Sequence, residues 1–237
     1  MQFEKPLKRV RLLRRYKRFL ADVYSKEMDL ALTIHCPNSG SLKGIFEEIP
    51  EPMAWMSESS NPRRQLPYTL EMIETVHGMV GVNTQHPNAL VFEAIQQGSI
   101  EPLLGYTSFR REVSYGVDGN SRIDLLLESP DKPPAYVEVK NVSMRQGDYA
   151  AFPDAITSRG TKHLLELVHM ANRGCRAVMV YVCQRRDCQG LRMANDIDPL
   201  YAETLQKAMK HGVEVLAYQC HVSPEAIVLH NRMEFYT

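Results

Sequence analysis

The segments Ser-Arg-Ile-Asp-Leu-Leu-Leu at residues 121–127 and Tyr-Val-Glu-Val-Lys at residues 136–140 decide the fold of the second half of this chain. Both are short and mostly apolar, as β-strands are, and turn-forming residues separate them. Side chains alternate between the two faces of a strand, so Glu138 and Lys140 point the same way. If the two strands pair, Asp124 lies beside Glu138 and Lys140.

Two carboxylates and one ammonium group on an apolar sheet carry a high desolvation cost unless they bind something. A hard divalent cation together with a phosphate diester would satisfy all three charges. We therefore predict Mg²⁺ or Mn²⁺ at Asp124 and Glu138, with the main-chain carbonyl of Val139 as a further ligand. Lys140 would orient a water molecule or offset charge that develops on the phosphate. No organic cofactor is expected.

The elements predicted around these strands set the fold class. The patterns predict helices at 84–97, 155–173 and 198–211, and strands at 109–116, 121–128, 134–142, 176–183 and 213–219. A helix, three strands and a helix form the αβββα arrangement of PD-(D/E)xK nucleases, in which Glu93 of the first helix would support the site. The alternative is a solvated ion pair of Glu138 with Lys140 on an edge strand, with Asp124 at a strand end.

The first 80 residues predict an all-β unit. Strands are expected at 7–23, 27–36, 53–58 and 66–77, the first of them long and bent. Strands in this number suit a small closed barrel, and an OB-fold is one candidate. The predicted fold class is therefore α+β, or mixed. An OB-fold-like, nucleic-acid-binding barrel occupies residues 1–80, and a PD-(D/E)xK nuclease-like α/β domain occupies residues 81–237.

Charge is distributed unevenly along the chain. Lysine plus arginine and aspartate plus glutamate each number 28, so the formal net charge is zero. Residues 1–20 nevertheless hold eight lysines and arginines and a single acid, Glu4. Eight like charges repel one another unless a polyanion compensates them, so this run predicts a polyanion-binding surface. The alternative is a solvated face.

Candidate DNA-binding residues fall in three places. They are Arg9, Arg11, Arg14, Arg15, Lys17 and Arg18 in the first strand, Arg63 and Arg64 in a loop, and Arg159, Lys162 and His163 where the second helix opens. Cations bind phosphate with release of counterions, and a helix N-terminus favours phosphate as well. At the helix, the alternative is that Asp154 simply caps it and the basic residues face water.

Four aromatic residues of the barrel are candidate platforms for stacked bases. They are Tyr16, Phe19, Trp55 and Tyr68. Aromatic faces stack on any base, which suits binding without sequence preference. The alternative for each is packing in the core of the barrel.

The five cysteines are odd in number and scattered, which argues against a disulfide framework. Their spacing lacks two close ligand pairs, so thiols packed in the core are favoured over a structural zinc site. The basic start is unlike a secretory signal, and no apolar run is long enough to span a membrane. We therefore expect a cytoplasmic protein without a membrane partner.

Five stretches of the chain resemble the sugar fermentation stimulation protein A family of bacteria and archaea. They are Arg-Tyr-Lys-Arg-Phe-Leu-Ala-Asp-Val at 15–23, His-Cys-Pro-Asn-Ser-Gly at 35–40, Ser-Arg-Ile-Asp at 121–124, Tyr-Val-Glu-Val-Lys-Asn-Val at 136–142 and Phe-Pro-Asp-Ala-Ile-Thr-Ser-Arg-Gly-Thr-Lys-His-Leu at 152–164. The resemblance implies an N-terminal OB-fold domain and a C-terminal domain similar to PD-(D/E)xK nucleases. The family triad carries over onto Asp124, Glu138 and Lys140, with Glu93 in support. Ser158 stands where the family usually has glutamate.

The same resemblance implies binding of double- or single-stranded DNA with little sequence preference, and a regulatory role in sugar (maltose) metabolism. This is the function that we predict. A Mg²⁺-dependent DNA endo- or exonuclease is the first alternative. An RNA-processing factor is the second, because a single OB barrel accepts single strands of either kind. The oligomeric state is left open, with a homodimer among the states considered.

Overall fold

A computed structural model describes residues 1–42, 44–45, 49–117 and 119–236 of the chain. The strands of the first half are β1 Lys8–Tyr16, β2 Leu20–Ser25, β3 Leu30–His35, β4 Met53–Glu58, β5 Tyr68–Thr75 and β6 Gly78–Gly81. They are hydrogen-bonded in the order β3-β2-β1-β4-β5-β6, and an additional pairing of β3 with β5 closes the barrel. The predicted closed, OB-fold-like barrel is thus confirmed.

The prediction of one long strand over residues 7–23 was wrong. The chain turns at Lys17 and Arg18, whose φ angles are 48° and 62°, and β2 then runs back antiparallel to β1. Neither glycine nor proline marks this turn, so the ordinary turn signals are absent from residues 16–20. The consequence for function is that the turn and its two cations project from the barrel instead of lying along a strand.

The second half contains three helices and two sheets. The helices are α1 His86–Gln96, α2 Ser158–Asn172 and α3 Pro199–Lys210, and a short 3₁₀ turn spans Glu101–Leu103. The strands are β7 Ser108–Tyr115, β8 Ser121–Ser129, β9 Lys132–Val142, β10 Arg145–Gln146, β11 Tyr149–Phe152, β12 Arg176–Cys183, β13 Gly190–Met193, β14 Val213–Val222, β15 Ile227–Arg232 and β16 Glu234–Tyr236. The predicted mixed α/β domain is confirmed.

The main sheet has the order β15-β14-β12-β9-β8-β7. Its central strands β9, β12 and β14 are parallel, and β7, β8 and β15 pair antiparallel with their neighbours. One core packs α2 and α3 against one face of the sheet, and a second packs α1 against the other face. Strand β9 is the middle of this arrangement, and it carries Glu138 and Lys140.

A second sheet, β10-β11-β13-β16, was not predicted from the sequence. Its strands are two to four residues long. Runs this short carry too few alternations to stand out from loop sequence. The sheet matters for function because β11 leads directly into α2 and so fixes where that helix begins.

Hydrogen bonds at several points join the barrel to the second half, and two of these points flank β9. Gln184 accepts from the main-chain N–H of Gly81 at 2.8 Å, and its side chain donates to the carbonyl of Asn83 at 2.9 Å. Elsewhere, the main-chain N–H of Leu42 donates to Asp154 Oδ2 at 3.1 Å. A side chain on Gly40 would place its Cβ 2.3 Å from that carboxylate oxygen, so only glycine permits this approach. These contacts set the position of the barrel beside β9.

The structure also tests the predictions on the cysteines, on the cap of α2 and on membrane-spanning helices. All five cysteines are free thiols, and Cys36, Cys183, Cys188 and Cys220 are buried, as expected for core thiols. The cap of α2 is Thr157, whose hydroxyl accepts from the N–H of Gly160 at 3.1 Å, so the alternative of a cap by Asp154 was wrong. None of the described helices is long and apolar enough to cross a membrane.

Candidate metal and phosphate site

Asp124 lies where strands β8 and β9 separate. The two strands pair as far as Leu125 and Val137 at this end. Beyond that pair, the Asp124 carboxylate takes the place of the main-chain acceptor on β8, because the main-chain N–H of Val139 donates to Asp124 Oδ2 at 2.7 Å. The amide of Asn88, in the first turn of α1, donates to Asp124 Oδ1 at 2.7 Å. The Asp124 side chain is therefore fixed from two directions.

Glu138 points toward α2, which covers the face of the sheet opposite to α1, and it is 2 % exposed. Its Oε1 accepts from the Lys140 ammonium at 2.5 Å, and it also hydrogen-bonds Nδ1 of His163 on α2. Its other oxygen, Oε2, is buried and has no hydrogen-bond partner among the residues that the structure describes. A buried carboxylate oxygen normally finds a donor, so an unpartnered one calls for an explanation such as a missing ligand.

The two carboxylates have opposite pKa shifts. Burial and the neighbouring charge of Glu138 raise the pKa of Asp124 to about 6. Burial also opposes ionisation of Glu138, but the hydrogen bonds and charges of His163 and Lys140 outweigh it and hold the pKa of Glu138 below its usual value. Two carboxylates that repel each other in a buried site favour a cation between them.

Tyr115 adds a second unpartnered polar atom to this region. Its ring stacks on Tyr136 with centroids 5.7 Å apart, and its hydroxyl is buried without a hydrogen-bond partner in the described part of the chain. Burial and the charges of Glu138, Glu166 and Asp124 raise its pKa, so the phenol keeps its proton. A protonated hydroxyl beside two carboxylates can donate a hydrogen bond to a water molecule or to a ligand between them.

These residues fit a hard divalent cation such as Mg²⁺ or Mn²⁺. Asp124 and the free Oε2 of Glu138 supply oxygen ligands, the kind that Mg²⁺ prefers. Within the described ranges no three histidine, cysteine, aspartate or glutamate side chains form a metal-binding group. Mg²⁺ nevertheless keeps several waters and is commonly bound by one or two carboxylates, so a pair is sufficient.

The structure brings together three of the four predicted catalytic residues, and Glu93 is the exception. Glu93 Oε2 accepts from the ammonium group of Met1 at 2.6 Å. It follows Asn88 by five residues, which turns it about 140° around the helix from the side chain that contacts Asp124. The prediction that Glu93 supports the site was therefore wrong, and Asn88 holds that position.

His163 was predicted as a DNA contact, and this was also wrong. Its ring is 6 % exposed, and it bonds Glu138 through Nδ1. Its Nε2 accepts from Arg159 at 3.4 Å, so it connects the carboxylate to an exposed guanidinium. Its neighbours Arg159 and Lys162 are exposed, so they stay candidate DNA contacts.

The cations of β1 are largely neutralised within the barrel. Arg14 pairs with Asp22 at 2.7 Å, Arg11 with Glu51 at 3.6 Å, and Arg9 with Glu74 at 4.0 Å. Their guanidinium groups also lie over aromatic rings: Arg9 over Trp55, Arg11 over Tyr24 and Arg14 over Tyr16. The prediction that only a polyanion could compensate the positive charges of residues 1–20 was wrong, because acids outside those residues form ion pairs with three of them.

Arg15 is a second correction in the barrel. Its guanidinium donates to the carbonyls of Asn38 at 2.6 Å, Gly40 at 2.8 Å and Ser41 at 3.3 Å. It therefore shapes the loop over residues 38–41 and is not a free DNA contact. Arg64 is likewise engaged, since it lies 2.9 Å from Nδ1 of His35.

A smaller set of cations remains available to a polyanion. Among the described residues, no carboxylate pairs with the side chains of Lys17, Arg18, Arg63, Arg122, Arg159 or Lys162. All six are exposed. Of the predicted stacking aromatics, Tyr16, Trp55 and Tyr68 lie under barrel cations, whereas Phe19 is 48 % exposed.

Replacing Asp124 with asparagine should stabilise the protein in the absence of metal. Because the pKa of Asp124 is raised to about 6, ionisation destabilises the folded state as pH rises from about 4 to 6. Asp124→Asn removes this cost, which is about 1–3 kcal/mol above pH 6. We expect a higher Tm than wild type at pH 7.5 in EDTA and an equal Tm near pH 4. A Tm that falls at pH 7.5 would contradict this account of the site.

Comparison with known proteins identifies relatives along nearly the whole chain. The model of the sugar fermentation stimulation protein RE domain matches residues 85–226, and that of the SfsA N-terminal OB domain matches residues 13–82. The chain is 51 % identical over 229 residues to a sugar fermentation stimulation protein homolog of Paramagnetospirillum magneticum, covering 97 % of this chain and 95 % of the relative. It is 54 % identical over 228 residues to the homolog of Rhodospirillum centenum, covering 96 % of each.

A solved structure resembles the whole chain. It is Pyrococcus furiosus SfsA in complex with Ca²⁺. The two share 27 % sequence identity and superpose with a TM-score of 0.88, covering 100 % of this chain and 98 % of that chain. The arrangement of barrel and second domain is therefore shared by proteins with widely diverged sequences.

Proposed function

This chain belongs to the sugar fermentation stimulation protein family, and on that premise we propose that it is a divalent-metal-dependent nuclease acting on DNA. One observation carries the proposal. Among the described residues, Glu138 Oε2 is buried and unpartnered in the same site as the Asp124 carboxylate, whose pKa is raised by burial and by the neighbouring charge of Glu138. Two repelling carboxylates with one bare oxygen form a site for a cation, and Lys140 adds a positive charge beside it.

Each residue would have a distinct task in cleavage. When bound, a Mg²⁺ ion supplies Lewis acidity and lowers the pKa of a water molecule. Asp124 and Glu138 would hold the ion, while Asn88 keeps the Asp124 carboxylate in place. His163 and Lys140 occupy Oε1 of Glu138 and so would leave Oε2 to hold the ion. The Lys140 ammonium would also stabilise negative charge that develops on the phosphate.

The Pyrococcus furiosus relative supports a hard cation in this family. Its structure is described as a complex with Ca²⁺. Ca²⁺ and Mg²⁺ are both hard ions that select oxygen ligands, and they differ mainly in size and in the number of ligands. An all-oxygen site that includes Asp124 and Glu138 suits either ion.

Binding of DNA without cleavage is the second candidate function. It is favoured by exposed cations that pair with no described carboxylate, such as Arg18 on the barrel and Arg159 and Lys162 on α2. Cations left free at a surface bind phosphate with release of counterions and with little sequence preference. Regulation of sugar-metabolism genes would follow from such binding and belongs to this second candidate.

Incubation of the purified protein with linear DNA tests the proposed function. We expect cleavage in Mg²⁺ or Mn²⁺ and none in EDTA. If the DNA stays intact in both metals but its electrophoretic mobility shifts, the protein binds DNA without cleaving it, and the second candidate function holds. Cleavage of an RNA strand but not of its DNA counterpart would instead indicate an RNA-processing factor.

A further inference from the structure

A polar cleft lies between the barrel and the second domain, directly beside the candidate site. Its volume is about 320 Å³. Arg18, Asn38 and Ser39 line it from the barrel, and Asn141, Ser143 and Thr157 line it from the second domain. Cavities of about 300–1,000 Å³ are typical of sites that hold one small molecule, so this one is large enough for a single nucleoside.

The cleft begins where the catalytic strand ends. Asn141 follows Lys140 on β9, and residues 142–144 continue the wall. A residue of a strand spans about 3.3 Å, so the wall starts within about 10 Å of Lys140. The position is also the carboxyl end of the parallel strands β9 and β12, where open α/β sheets commonly bind their ligands.

A second cavity, of about 480 Å³, lies on the other side of the site. Arg122, Arg159, Lys162 and His163 line it together with one acid, Glu112, so the cavity is basic on balance. Strands β8 and β9 are antiparallel, so the start of β8 and the end of β9 lie at the same edge of the sheet. Residues 121 and 122, which precede Asp124 on β8, line the basic cavity, and residues 141–144, which follow Lys140, line the polar cleft, so the site is flanked by both.

The lips of the cleft carry exposed apolar side chains. Ile156 lines it on one side and is 80 % exposed, and Phe19, which follows the lining residue Arg18 in the β1–β2 turn, is 48 % exposed. The turn that presents Phe19 is held in place, because Arg15 donates to the carbonyl of Arg18 at 3.0 Å and Cys36 donates to that of Phe19 at 2.8 Å. An exposed aromatic ring on a hydrogen-bonded turn, beside an arginine that pairs with no described carboxylate, suits a stacked base and its phosphate.

We propose that the substrate is single-stranded DNA, which follows this edge from the basic cavity across the carboxylates into the cleft. This inference rests on the proposed function and specifies its substrate class. A base within a duplex is paired and stacked, and it enters a cleft only after it has been extruded, whereas an unpaired strand avoids that cost. Phe19 would stack on a base at the lip, and Arg18 would contact the adjoining phosphate.

Binding of a fluorescent DNA single strand and of a blunt duplex, measured in EDTA, tests the proposal. We expect the single strand to bind at least about tenfold more tightly than the duplex. Phe19→Ala should weaken single-strand binding about fivefold or more, and Ser39→Trp should do the same by filling the cleft. Ser60→Trp, a substitution in an exposed loop of the same barrel, is the matched control and should bind as wild type does.

Affinities that stay within about twofold of wild type in Phe19→Ala and Ser39→Trp would overturn the proposal, provided that melting curves show both variants folded. In Mg²⁺, cleavage of blunt duplex as fast as of single strand would overturn it while the proposed nuclease stands. If Phe19→Ala and Ser39→Trp weaken binding of the single strand but the wild-type protein cleaves no DNA, the proposed binding path is supported and the proposed nuclease activity is overturned. An RNA strand that binds more tightly than the DNA strand would overturn the assignment to DNA.

Discussion

Asp124→Asn should reduce the rate of metal-dependent DNA cleavage by about a thousandfold or more. The substitution removes one negative charge from a site that we propose to be held together by a cation, and metal-ion stabilisation of a transition state is worth several kcal/mol. The shape of the side chain and the hydrogen bond from Val139 can be kept, so the protein should fold. The measurement is the initial rate of cleavage of a labelled single strand in Mg²⁺.

Lys140→Met provides a matched comparison for this loss. It removes the ammonium group but leaves both carboxylates, so we expect a fall of about a hundredfold or more in the rate with the metal still bound. Glu203→Gln, which removes a carboxylate from an exposed ion pair on α3, should cleave as wild type does. Cleavage by Asp124→Asn at a rate near that of wild type would remove the proposed site from the mechanism.

The combined variant Arg18→Ala, Arg159→Ala and Lys162→Ala should weaken binding of single-stranded DNA by on the order of tenfold or more. These cations are exposed and flank the proposed path of the strand, and no described carboxylate neutralises them. Each lost phosphate contact should lower the slope of log affinity against log salt concentration by about 0.7, so three contacts lower it by about two. The measurement is a fluorescence anisotropy titration at several salt concentrations.

The matched control neutralises three other arginines, Arg9, Arg11 and Arg14. Each pairs with an acid of the barrel and lies over an aromatic ring, so a phosphate would have to displace an existing partner. We expect this variant to keep its affinity within about threefold of wild type and its salt slope nearly unchanged. A larger loss in this variant than in the first would show that β1, and not the edge of the sheet, is the binding surface.

The geometry around β9 could be predicted from the sequence because it follows from local rules. Alternation along a strand puts Glu138 and Lys140 on one face, and the structure places them in contact there. A turn-linked pair of strands brings Asp124 to the same edge, where it bonds Val139. The closed barrel could also be predicted, since several short strands separated by turns have few other compact arrangements.

The parts that were missed depend on contacts between distant segments. Asn88 reaches Asp124 only because α1 packs against β8 and β9, and nothing near residue 88 reports that packing. The partners of the β1 cations, such as Glu51 and Glu74, lie on other parts of the barrel, so a run of charge in the sequence overstated the charge at the surface. His163 belongs to the site for the same reason, because α2 crosses the face of the sheet that carries Glu138.

Diffraction from crystals grown with Mn²⁺, recorded with anomalous signal from that ion, tests the central claim most directly. The account predicts a peak bound by Asp124 and by Oε2 of Glu138, at about 2.0–2.6 Å from its oxygen ligands, and no such peak in Asp124→Asn. A crystal saturated with Mn²⁺ that shows the ion elsewhere, with Oε2 of Glu138 still bare, would contradict it.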